Sequence, residues 1–350
     1  MRGLFPIWLS IFLLSLLSDV HWGMTVPLAV VAMTFIPSQG AAARAVLVHD
    51  IAAPHPRQKN FSAMVAEVEG RTKGSLTIAI NPGGKVLYPG QASLDAVRSG
   101  QVPLAFVNSA FLQSIHPGLG FLNLPFTLND DTFAVDAAEE LIHLIQIYVK
   151  PSGLEVMGAM RGADTIFVFK KNLRVRKPED LQGFKIRVAG PGIYQEIVHS
   201  VGAEPVVIPA IAMGAALAAG EIEGMITSPG GWNKNVQDAP HGSLIPGLIF
   251  YTYFLVADQS WLGRLPAEQQ QALTDAARLC VTEKWRDMQE DDRQLISTLV
   301  AAKKGASFWT LPAQELPFWQ KRVEGVTRRF AQSYPEIMQP YRAILSPGHR

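Results

Sequence analysis

Beyond residue 45, short apolar runs alternate with longer stretches in which apolar side chains recur every three or four positions. The first kind reads as strand and the second as helix, because strand side chains alternate between faces while helical ones return to one face after a turn. Val46 to His49 is the first such run, and residues 54–72 follow with Phe61, Met64, Val65 and Val68 on one helical face, stopped at Gly74. Leu76 to Ile80 predicts a strand, 81–84 a turn, 91–99 a short helix, and 103–108 a buried strand. Residues 130–149 predict a helix with Phe133, Ala137, Leu141, Leu144 and Ile145 along its apolar side. The rhythm resumes with strands over 165–170, 184–188, 205–208 and 224–227, separated by a turn at 177–183 and helices over 193–201 and 211–219. A loop is expected at 228–231, a strand over 248–257, and helix from Pro266 to about Lys304 and from Pro312 to about Tyr341. Such alternation predicts an α/β fold with parallel or mixed sheets covered on both faces. Two blocks meet near residue 165 and a strand crosses back near 250–260, so two lobes with a cleft between them are expected. Clefts at the carboxy ends of strands are where ligands bind.

Two further apolar runs, 4–17 and 24–36, precede the first strand, with Arg2 the only charge before Asp19. Each is shorter than the ~20 residues that span a bilayer. Small residues follow at Ala41, Ala43 and Ala45. The pattern predicts an export signal over 1–43, cut near Ala43. A start at Met24 and a retained N-terminal anchor are the competing readings.

Composition narrows the partner class. Lys plus Arg number 31 and Asp plus Glu 30, a net charge of +1. There is no basic surplus to neutralise phosphates, so no nucleic-acid partner is expected. The single cysteine, Cys280, excludes a disulfide framework and a thiolate zinc site. Gly83-Gly84-Lys85 lacks the leading glycine and the Ser or Thr of a phosphate loop, and no GxGxxG, GxSxG or HExxH occurs. His49 and His55 flank Asp50 without two further ligands in view, so neither metal nor cofactor is expected. The weight shifts toward a binding protein with no catalytic residues. An exported enzyme in the same cleft, with His49 or Glu223 as its base, is the competing class.

In Phe184-Lys185-Ile186-Arg187-Val188 the two cations share one strand face. A charge in a buried strand is costly unless paired. Arg187 therefore either reaches solvent at the strand end or meets an anion, whose carboxylate its planar fork matches with two parallel hydrogen bonds. Arg161, read alone, is a solvated loop arginine. Trp232 either stacks on a ligand or anchors its loop, Tyr194 either caps the ligand or sits at the solvent edge, and Tyr251 and Tyr253 lie in an alternating strand of which one face is buried in any case.

The order Lys177-Pro178-Glu179-Asp180-Leu181-Gln182-Gly183, Lys185-Ile186-Arg187-Val188, Gly202-Ala203-Glu204-Pro205 and Gly220-Glu221-Ile222-Glu223-Gly224 resembles the extracytoplasmic solute receptors of TRAP transporters, the DctP-like family. Upstream, residues 49–56, the stretch 76–90, Arg98-Ser99-Gly100-Gln101-Val102 and Leu124-Pro125-Phe126 extend the resemblance over nearly the whole chain after the signal. It implies a two-lobed periplasmic-binding-protein fold with hinge-crossing strands and long C-terminal helices. Lobe 1 would take 44–164 and return over about 253–292; lobe 2 would take 165–252 and return over about 293–350. It also implies capture of a small carboxylate solute by Arg187 in the periplasm, and delivery to TRAP membrane subunits by a monomer or weak dimer. A ligand-presenting sensor is an alternative use of the same fold. Arg161 matches a second arginine near the ligand, and His49, Asn108 and the residues after Gly224 match cleft positions. Thr227 and Ser228 stand where many members carry an asparagine, which offers a different set of donors and acceptors.

Overall fold

The computed structural model describes residues 43–51, 54–130, 132 and 135–346. The expected export signal lies outside the described residues, except for Ala43, which is already the first residue of a strand. In chain order the first part comprises β1 (Ala43–His49), α1 (Gln58–Arg71), β2 (Leu76–Ile80), α2 (Gln91–Arg98), β3 (Leu104–Asn108), α3 (Ser109–Leu112), α4 (Val135–Val149) and β4 (Leu154–Asp164). The second part comprises β5 (Ile166–Phe169), β6 (Lys185–Val188), α5 (Ile193–Ser200), β7 (Glu204–Val207), α6 (Met213–Ala219), β8 (Gly224–Thr227), α7 (Pro229–Asn235) and β9 (His241–Leu244). The chain ends with β10 (Phe250–Asp258), α8 (Gln259–Leu262), α9 (Ala267–Ala277), α10 (Trp285–Ala302), β11 (Ser307–Thr310), α11 (Leu316–Ser333) and α12 (Pro335–Leu345).

These strands form two mixed sheets, one in the order β2-β1-β3-β10-β4 and the other β11-β9-β5-β8-β6-β7. In the first, β1 pairs in parallel with β2 and β3, and β10 adds antiparallel between β3 and β4. In the second, β6 lies parallel between β7 and β8, and β5 runs antiparallel to β8 and β9. Both faces of each sheet are covered. Leu47 and Phe106 join one core with Phe61 and Met288, while their neighbours Val48 and Val107 join another. Phe167 and Phe169 point into that second core, and Ile166 and Val168 into a third with Met225 and Trp232. Burial on both faces is why these strands read as unbroken apolar runs.

The helices follow the burial that their spacing dictates. α1 buries Phe61, Met64 and Val68, and Gly74, at φ +76, carries the chain out of it. α11 buries Trp319, Val323, Val326 and Phe330, spaced by four, three and four. Among the described residues the chain passes between the sheets three times, β4 into β5, β9 into β10 and, through α8 to α10, β10 to β11; the first two crossings lie side by side. They are tied where the Thr165 N–H and hydroxyl both donate to the Ile249 carbonyl, at 3.0 and 2.8 Å. α10 packs against β4 of the first sheet and against β11 and α7 of the second. Several segments depart from the sequence expectations, among them the short helices α3 and α8 and the break between α9 and α10. Residues 228–231 open helix α7 rather than a loop, and β4, β9 and β11 are strands that the apolar pattern did not single out.

Candidate functional site

The carboxy ends of the parallel strands of both sheets meet. Asp50 follows β1, Asn108 ends β3, and Arg187, Ile208 and Thr227 lie at the ends of β6, β7 and β8. The lobes touch there directly. A Cβ placed on Gly190 would lie 2.6 Å from the Ala110 Cβ, so glycine is what permits that approach. The Ile193 N–H donates to Gln113 Oε1 at 3.4 Å, and His55 Nε2 pairs with Ser228 Oγ at 3.2 Å.

Arg187 is 2% exposed, although it sits one residue from a strand end. Its Nε donates to the Ile208 carbonyl at 2.8 Å and its Nη1 to the Ile226 carbonyl at 2.9 Å. Nη2 has no hydrogen bond to protein among the described residues. The Tyr251 hydroxyl donates to the same Ile226 carbonyl at 3.3 Å. Two neutral carbonyls hold the guanidinium in place without cancelling its charge. No carboxylate among the described residues forms an ion pair with it.

Asp50 lies within the field of Arg187. Burial pushes its carboxyl up to about 6, while the Arg187 charge and the N–H groups of Asp50 and Gly90 pull the other way. Burial lifts the Tyr251 phenol to about 12, and burial with the Asp50 charge holds Tyr253 well above its ordinary value. Both phenols are therefore neutral hydroxyls at physiological pH. Asn108 Oδ1 accepts from the Ala110 N–H at 2.9 Å, capping α3, and the residue pairs with Tyr253 across β3 and β10. Thr227 is 3% exposed, next to the carbonyl that Arg187 engages. Ser228 accepts from the Gly231 N–H at 3.1 Å and caps α7.

Three candidates are committed to packing partners. His49 is 2% exposed, its ring stacks 4.3 Å from Phe61, and Asn81 Nδ2 stands 3.3 Å from its Nδ1. Burial pushes that imidazole down to about 4. Trp232 is fully buried in the third core, with its Nε1 donating to the Ala239 carbonyl at 2.7 Å. Arg161 is not a solvated loop residue: it lies on β4, 2% exposed, and grips Asp130 with two hydrogen bonds of 2.6 and 2.9 Å. Its Nη1 also pairs with Asp292, which binds Arg57 Nη2 at 2.7 Å. Asp130, Arg161, Asp292 and Arg57 thus form a chain of ion pairs that joins the start of α1 to β4 and α10. The structure gathers Asn108, Arg187 and Thr227 and sets Ser228 at the lobe contact. It adds Asp50, Tyr251 and Tyr253, which the sequence reading did not choose. Their only sequence signals are a charge directly after a strand and two tyrosines spaced by two. Among the described residues no cluster of His, Cys, Asp or Glu could hold a metal ion.

Residues 47–333 match the family model described as bacterial extracellular solute-binding protein, family 7. A solute-binding protein of Chromohalobacter salexigens is 22% identical over 291 residues, covering 81% of this chain and 83% of that one. Among solved structures, a TRAP periplasmic solute-binding protein from Sulfurospirillum deleyianum with bound succinate superimposes with a TM-score of 0.76 at 17% identity, covering 87% of this chain and 99% of the other. DctP7 of Bordetella pertussis, an extracytoplasmic solute receptor binding pyroglutamic acid, gives a TM-score of 0.74 at 20% identity over 86% and 100%. A TRAP periplasmic solute-binding protein of Pseudomonas putida with bound D-glucuronate gives 0.74 at 21% over 86% and 97%. At these identities the structural likeness is one of fold, a two-lobed α/β periplasmic binding protein. With the family model covering most of its length, the chain belongs to family 7 of the bacterial extracellular solute-binding proteins, the DctP family.

Proposed function

We propose that this protein is the periplasmic receptor of a TRAP-type transporter, capturing a small organic acid by its carboxylate on Arg187 and delivering it to membrane subunits. The observation that carries the reading is a buried guanidinium at the meeting of two lobes, held by two carbonyls, with one nitrogen unused and no carboxylate paired to it among the described residues. A ligand carboxylate supplies the missing anion, and desolvation on lobe closure strengthens the contact. Asn108, Thr227 and the hydroxyls of Tyr251 and Tyr253 are the neutral groups placed to fit the rest of the molecule. His49, Arg161 and Trp232 serve the scaffold around it. Relatives of the same fold bind succinate, D-glucuronate and pyroglutamate, all carboxylates, which supports the ligand class.

The test is calorimetric titration of wild type and Arg187→Ala with a panel of small carboxylates. Losing one partner of a buried charged pair costs about 2–5 kcal/mol, so affinity should fall by about 30-fold to several thousand-fold. Equal affinity in the two proteins refutes the proposed contact.

A further inference from the structure

Arg187 and Asp50 are both nearly excluded from solvent, at 2% and 7% exposure, yet they form no ion pair. Elsewhere in the same protein, buried opposite charges clasp each other, as Arg57 does Asp292. The cleft pair is kept apart. Arg187 is drawn to the carbonyls of Ile208 and Ile226, and the chain just past Ile208 reaches across to Gly90, whose Cβ position would lie 3.9 Å from Pro209. On the Asp50 side, Oδ1 is buried and has no hydrogen-bond partner among the described residues. A buried carboxylate oxygen without a donor is costly; Asp292 Oδ1 is another, but its carboxylate is answered by two arginines, whereas that of Asp50 forms no ion pair among the described residues.

We infer, resting on the receptor reading above, that the ligand carries a hydrogen-bond donor beside its carboxylate, and that Asp50 Oδ1 accepts from that donor while Arg187 holds the carboxylate. The donor is an N–H or O–H, as in a 2-amino acid, a 2-hydroxy acid or a cyclic amide acid. An ammonium suits the site best, because a zwitterion answers the guanidinium and the carboxylate together and leaves no net charge buried. A simple dicarboxylate is disfavoured: its second carboxylate would face Asp50, like charge against like, with no proton to offer.

The experiment uses matched triplets of three- to six-carbon acids, each as the unsubstituted, the 2-hydroxy and the 2-amino acid, together with succinate and pyroglutamate. Affinities are measured by calorimetry for wild type and Asp50→Asn. In wild type, the donor-bearing member of at least one triplet should bind tenfold or more tighter than its unsubstituted parent, and tighter than succinate. In Asp50→Asn that ratio should shrink several-fold and succinate should gain affinity. Ratios within one protein are insensitive to partial misfolding, and the unfolding temperature of the variant checks its fold. The inference is overturned if wild type binds succinate or an unsubstituted acid as tightly as its donor-bearing analogues, or if Asp50→Asn leaves the ratio unchanged. In those cases carboxylate binding itself persists, and the receptor reading stands. If no acid binds wild type, both fall.

Discussion

Replacing Asp292 by alanine should unfold the protein early, and the structure sets the size of the effect. The Asp292 carboxylate is 4% exposed and accepts from both Arg57 Nη2 and Arg161 Nη1. Arg161 keeps Asp130 when Asp292 is lost, but Arg57 keeps only the carbonyls of Arg161 and Gly162, at 3.0 and 2.8 Å. The two arginines already differ in this sense. Burial holds Arg57 below its ordinary pKa, with Asp292 opposing, whereas Asp130 and Asp292 outweigh the same burial at Arg161 and hold it above. Stranding a buried cation costs about 3–5 kcal/mol. With an unfolding entropy of about 2.1 cal/mol/K per residue over ~300 residues, Tm should fall by roughly 5–8 °C. The assay is thermal unfolding followed by far- and near-ultraviolet circular dichroism, whose coincidence tests two-state behaviour. Lys59→Ala is the control, since the Lys59–Asp291 pair lies at the surface and is worth under about 1 kcal/mol. If Asp292→Ala melts no earlier than Lys59→Ala, the network is not a stabilising clamp and this argument is wrong.

Two further outcomes follow from the site and its surroundings. Gly190→Val puts a branched side chain where even a Cβ meets Ala110 at 2.6 Å, so it should weaken binding of any bound acid at least tenfold with little change in Tm. Unchanged affinity would show that the Gly190–Ala110 approach is not needed for closure. His49, with its pKa lowered to about 4 by burial, takes up fewer protons when folded than when unfolded between pH 4 and 6.5. Its contribution is complete above pH 6.5 and is lost as pH falls, by about 1.4 kcal/mol per unit. His49→Phe should therefore flatten the acid limb of the stability–pH curve by about one proton relative to wild type, and identical slopes would contradict a buried neutral imidazole.

The α/β alternation was legible because strands covered on both faces are short and apolar, and helices such as α1 and α11 show their spacing directly. β4 escaped notice because Gly158, Ala159, Gly162 and Ala163 dilute its pattern, and its strand character comes from pairing with β10. A Cβ at Gly162 would stand 2.7 Å from the Tyr251 carbonyl, a constraint visible only in three dimensions. β9 (His-Gly-Ser-Leu) and β11 (Ser-Phe-Trp-Thr) lie 63 to 69 residues apart in sequence and find each other only in the fold. α7 was hidden by Pro229-Gly230-Gly231, a turn sequence that here starts a helix with Ser228 as cap and proline in the first turn. At the site, Arg187 announced itself as a charge among apolar strand residues. Asp50 did not, because an acid after a strand is ordinarily a solvated loop residue, and that it is buried within the field of Arg187 is visible only in the fold. Arg161, by its residues alone a loop arginine, became a ligand candidate only through the family resemblance, and its place on β4 between Asp130 and Asp292 is visible only in the fold.

The tie between Thr165 and Ile249 has a mechanical meaning. On the receptor reading, two crossings bonded to each other, where Thr165 links β4 to β5 and Ile249 enters β10, would act like a pair of door pins on one axle, permitting swing and resisting twist. A jaw so restricted to one arc would return its guanidinium to the same place at every closing, leaving little freedom to be frozen when the proposed solute arrives. Loosening that pin, more than altering any side chain that touches the solute, is the change that would let the two halves close out of register.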